Sequence, residues 1–79
     1  MNKIRRKRIS ELAEQLQTLK DKLEEIQQEE QEAFDNIPEA FQESERYSQA
    51  EEAVENLDSA FCSLEDCIDA LTEAMGEGA

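Results

Sequence analysis

Seventy-nine residues allow one domain, and a single core of that size is marginal without disulfides, metal or oligomerisation. With no histidine, two cysteines and a formal net charge of −13, the composition argues against a histidine-based catalytic centre, a zinc cluster and nucleic acid as a direct partner. No window is long and apolar enough to span a membrane, and neither a targeting segment nor a myristoylation glycine is present.

The first predicted element is a helix from about residue 3 to 35. Ile9, Leu12, Leu16, Leu19, Leu23 and Ile26 recur at alternating spacings of three and four, the pattern of a helix with one stripe turned to a partner helix. With Ile9 as heptad position a, the a positions are Ile9, Leu16, Leu23, Glu30 and Ile37. The d positions are then Leu12, Leu19, Ile26 and Ala33. Glu30 interrupts the stripe, and either snorkels outward at a frayed end or fixes the register. Five of the eight basic residues fall at Lys3, Arg5, Arg6, Lys7 and Arg8, so the remaining 71 residues hold 3 basic and 21 acidic side chains, a balance of −18.

A turn is predicted over 36–43. A residue before proline avoids the α region, so Ile37 before Pro38 ends the first helix. Pro38 can open a short helical turn through Phe41. Ser44 and Ser48 are both able to cap the next helix, and Ser44 is the better placed if Tyr47 belongs to the following apolar seam.

The second helix is expected over 44–75, stopped by Gly76 and Gly78, with a disordered tail over 76–79. Its seam, Tyr47, Ala50, Val54, Leu57, Phe61, Leu64, Ile68, Leu71 and Met75, holds the heptad spacing without a miss. With Val54 as a, the g positions are Ala53, Ala60, Cys67 and Ala74, a second stripe of small residues beside the first. Alanine for helix propensity is one explanation; a second helix converging on a wide a/d/g face is the other.

Near-equal helices joined by a short connection pack as antiparallel neighbours. The expected fold is therefore all-α: an antiparallel helical hairpin with coiled-coil-like packing, dimerising into a four-helix bundle. The expected oligomer interface comprises Val54, Leu57, Phe61, Leu64, Ile68 and Leu71 with Ala53, Ala60 and Cys67. In such a hairpin Arg5, Arg6, Lys7 and Arg8 are expected to face Glu65, Asp66, Asp69 and Glu73, offsetting unfavourable helix-dipole placements at both ends. The rival role for the basic start is an arm for nucleic acid or a membrane.

The chemistry of a catalytic site is missing from the sequence. It has no Gly-rich phosphate loop and no calcium-loop motif, and carboxylates sharing a helix face have no pocket to perturb them. We read a non-enzyme without cofactor or metal. Cys62 and Cys67 point about 140° apart on one helix and cannot bridge each other there. Free thiols suit a reducing, cytoplasmic setting, with a bridge between chains left open.

Two candidate partner-binding surfaces stand out. Phe34, Phe41 and Tyr47, three of the four aromatic residues, gather at the turn with Ile37 and Arg46, either as a binding site or as a plug closing the bundle end. The acidic second helix offers Glu52, Glu55, Asp66 and Asp69, with Glu51, Asp58 and Glu65, to a basic partner protein.

The segments Met1-Asn2-Lys3-Ile4-Arg5-Arg6-Lys7, Glu32-Ala33-Phe34-Asp35-Asn36-Ile37-Pro38-Glu39 and Ser44-Glu45-Arg46 resemble small acidic helical-hairpin proteins of phages and mobile elements of Gram-positive bacteria. Val54-Glu55-Asn56-Leu57 and Ser63-Leu64-Glu65 carry the same likeness. That family brings no catalytic or binding residues to carry over. The resemblance implies a phage-related setting; within it we read the chain as a structural or adaptor dimer in a bacterial host cytoplasm, the alternative being an acidic inhibitor of a host or defence nucleic-acid-binding protein, of anti-defence or anti-CRISPR type.

Overall fold

A computed structural model describes residues 1–76 of the chain. Helix α1 runs Lys3–Asp35 and helix α2 runs Glu45–Met75, with a single 3-10 turn at Glu39–Phe41 between them. The ends follow from local chemistry. Asn2 caps α1, its side-chain oxygen accepting from the Arg5 amide at 2.8 Å, which satisfies one of the free donors of the first turn. Asn36 and Ile37 close the other end, their backbone amides donating hydrogen bonds to the Glu32 and Phe34 carbonyls. Pro38, at φ −59° and ψ 145°, redirects the chain. Ser44 caps α2 by accepting from the Tyr47 amide at 3.2 Å, while its hydroxyl donates to the Phe41 carbonyl at 2.6 Å. One serine therefore joins the 3-10 turn to the start of α2. Gly76 ends α2 at φ +76°, a conformation that side-chain-bearing residues rarely adopt. The expected tail over 76–79 otherwise lies outside the described residues.

The two helices pack against each other as an antiparallel hairpin measuring 59 × 15 × 15 Å. Its radius of gyration is 17.8 Å, whereas a compact domain of this length has about 12 Å. The rod shape leaves the core one side chain deep. Val54 is the only hydrophobic residue among those described that counts as buried, at 9% exposure.

The seam is built asymmetrically. On α2 it is the expected a/d stripe: Tyr47, Ala50, Val54, Leu57, Phe61, Leu64, Ile68, Leu71 and Met75 are all buried or half-buried. On α1 the half-buried residues are Arg6, Ile9, Ala13, Leu16, Lys20, Leu23, Gln27, Glu30, Gln31 and Phe34. Nearly all of these are positions a and e, not the expected a and d. Relative to the expected seam, α1 is turned by about 50° about its axis. The e side chains account for the turn. Phe34 meets Tyr47 with ring centroids 4.9 Å apart. Lys20 lies over the Phe61 ring at 5.1 Å and pairs with Glu65 at 3.7 Å. Gln27 donates to Asp58. Leu12, Leu19 and Ile26, the expected d knobs, are left 45%, 52% and 52% exposed.

The expected ladder between the basic start and Glu65, Asp66, Asp69 and Glu73 is not formed. Lys20–Glu65 is the only ion pair among the described residues. Register and helix facing explain this, since Asp66, Asp69 and Glu73 occupy exposed f and b positions of α2 turned away from α1. Glu65 lies level with Lys20, and the first turns of α1 lie beside Thr72, Met75 and Gly76 instead. Arg5–Arg8 are therefore more than two helical turns from Glu65. Arg6 folds back toward its own helix start, with Nη2 3.4 Å from the Met1 carbonyl.

Candidate interaction surfaces

The hairpin presents three surfaces. The first is the turn, where Ser44 and Pro38 hold the chain so that the aromatic residues separate into two roles. Phe34 and Tyr47 stack across the helix pair, and with Ile37 they are half-buried. Phe41 instead projects from the 3-10 turn at 60% exposure. It borders an open hollow of about 620 Å³ shared with Ile37, Pro38, Ser44, Arg46 and Tyr47. Arg46 is exposed. Two rings therefore close the bundle end, while Phe41 and the Arg46 guanidinium face solvent.

The second surface is acidic. All nine carboxylates of α2 occupy heptad positions b, e and f: Glu45, Glu51, Glu52, Glu55, Asp58, Glu65, Asp66, Asp69 and Glu73. Glu52, Glu55, Asp66 and Asp69 are exposed. Their placement is a strip along the rod rather than a pocket. Among the described residues no group of three or more potential ligands is arranged to hold a metal ion. Nor, among the described residues, is any helix long and apolar enough to cross a membrane.

The third surface is poor in charge along α2. Of the nine residues expected at an oligomer interface, Val54, Leu57, Phe61, Leu64, Ile68 and Leu71 face α1 within the chain. Ala53 is half-buried, and Ala60 and Cys67 are exposed. Beyond this g stripe, the c positions are Gln49, Asn56, Ser63 and Ala70. From position d through g to c, α2 therefore carries one charge, Arg46 at its first turn. Sequence reasoning identified the small g residues but not the exposed Leu12, Leu19 and Ile26 of α1. A usable signal was present, because Ala13 and Phe34 place apolar residues at e of α1 and allow an a/e seam. The exposed thiols of Cys62 and Cys67 are both free. No family model, curated protein or solved structure matches this chain.

Proposed function

We propose that the chain is a non-enzymatic protein–protein interaction module of phage or mobile-element origin, acting as a structural or adaptor dimer in a bacterial cytoplasm. The observation that carries this reading is the incomplete core. A single buried hydrophobic residue among those described in a 59 Å rod, with Leu12, Leu19, Ile26 and Phe41 between 45% and 60% exposed, describes a hairpin whose apolar surface exceeds what its own helices cover. Contiguous exposed apolar surface on a small soluble chain marks a place where another protein binds. Sedimentation equilibrium at micromolar concentration should return twice the chain mass. Capture from a bacterial lysate should then yield a host protein in stoichiometric amount, bound through the turn at Phe41 and Arg46. A well-folded monomer refutes the reading.

A second reading rests on the acidic strip. Its nine carboxylates lie together along one side of α2, a spacing able to engage a basic groove and so inhibit a nucleic-acid-binding protein by occupying its site. Such binding should weaken steeply between low and physiological salt, and the absence of any basic partner at low salt would remove this alternative.

A further inference from the structure

Lys20–Glu65 and Gln27–Asp58 lie along one edge of the intramolecular seam, where position e of α1 meets position e of α2. The opposite edge therefore joins position d of α1 to position g of α2. Leu12, Leu19 and Ile26 thus share one side of the rod with Ala53, Ala60, Cys67 and Ala74. The antiparallel register staggers the two rows. With Lys20 level with Glu65 and Phe34 level with Tyr47, Leu19 falls between the levels of Cys67 and Ala60, and Ile26 between Ala60 and Ala53. Large side chains on one helix thus alternate in height with small ones on the other.

We propose that this face is covered by a second copy of the chain, related by a twofold axis parallel to the rod. The inference rests on the reading of the chain as a dimeric module and identifies the interface. Such an axis sets α1 of one copy against α2 of the other, antiparallel and at the same levels. Leu12, Leu19 and Ile26 then enter the gaps between the partner's small residues, the knobs-into-holes arrangement of a four-helix bundle. A twofold across the rod would instead stack leucine on leucine and alanine on alanine, leaving one pair of helices too far apart when the other is in contact.

Charge favours the same occupant. Two copies at −13 each repel, so association favours the side poorest in carboxylates: the nine acidic residues of α2 are confined to b, e and f, and the g positions beside the d stripe of α1 are Arg8, Gln15, Lys22 and Glu29, with a single carboxylate among them. A basic partner would be drawn to the acidic strip rather than to this side. Area is sufficient as well. A face of 59 by 15 Å amounts to about 900 Å² per copy, within the range of stable specific interfaces.

The test uses the full chain with Leu19→Glu, and separately a spin label on Glu73→Cys, exposed at position f and outside the proposed interface, with both native cysteines changed to serine. Leu19 is half exposed in the hairpin, so Leu19→Glu should keep the wild-type helical signal. It should weaken dimerisation by at least about 100-fold, because the twofold introduces the charge twice into an apolar contact. The labels should lie within about 30 Å of each other, the diagonal of a four-helix bundle plus the two outward label arms. A twofold across the rod would separate them by about 40 Å. A dimer that tolerates Leu19→Glu, or one with the long separation, overturns the proposed interface while leaving the dimeric module standing. A wild-type monomer overturns both. If Leu19→Glu fails to fold, the label separation decides alone.

Discussion

Truncating the aromatic residues of the turn separates a recognition surface from a structural plug. Phe41 is 60% exposed, so the hairpin holds only two-fifths of its ring away from water. Complete burial of a phenylalanine side chain is worth about 1.5–3 kcal/mol, which makes Phe41→Ala a loss of about 1 kcal/mol. Phe34 is half-buried and stacks on Tyr47 at 4.9 Å. Its removal forfeits a larger share of burial together with an aromatic pair worth about 0.5–1.5 kcal/mol, for a total near 2–3 kcal/mol. In a chain of this size each kcal/mol moves the melting temperature by about 4–8 °C. Phe41→Ala should therefore lower Tm by about 5 °C and Phe34→Ala by about 10–20 °C. Circular dichroism melts at one fixed protein concentration measure this, since self-association makes Tm depend on concentration. If Phe41→Ala destabilises as much as Phe34→Ala, Phe41 belongs to the plug and the turn loses its claim as a recognition surface. A small Tm change with loss of the captured partner is the expected result, and Arg46→Ala should behave in the same way.

The remaining predictions address the seam, the cap and the acidic strip. Leu57→Glu or Leu64→Glu should abolish cooperative unfolding, because each places an unpaired carboxylate in the intramolecular seam; a retained melting transition would contradict the packing. Ser44→Ala should cost about 1 kcal/mol, and Ser44→Asp should recover most of it by capping the Tyr47 amide. An unchanged Tm for Ser44→Ala would show that the cap does not hold the turn. Neutralising Glu52, Glu55, Asp66 and Asp69 together to Gln or Asn should leave helicity intact and abolish salt-sensitive competition with nucleic acid for a basic target. Full competition by the neutralised chain would exclude nucleic-acid mimicry.

Local order was determined by the sequence alone, because its signals act over one or two helical turns. Pro38 before a 3-10 turn, Ser44 as the cap of α2 and Gly76 at its end each work through the backbone of their immediate neighbours. The heptad repeat of α2 was equally legible, since its a and d positions are apolar throughout and offer a single face. Helix α1 was ambiguous. Its d positions carry Leu12, Leu19 and Ile26, while its e positions carry Ala13, Lys20, Gln27 and Phe34, and either stripe beside a can face a partner. Only the tertiary structure decided between them, through contacts that join residues more than ten positions apart: Phe34 to Tyr47, Lys20 to Phe61 and Glu65, Gln27 to Asp58. Register and facing together removed the expected pairing of Arg5–Arg8 with Glu65, Asp66, Asp69 and Glu73: Glu65 lies level with Lys20, and the other three sit on exposed b and f positions of α2. Which apolar stripe remains outside, and so where another protein can bind, is a property of how the two helices are rotated against each other, and no periodicity within either helix specifies that rotation.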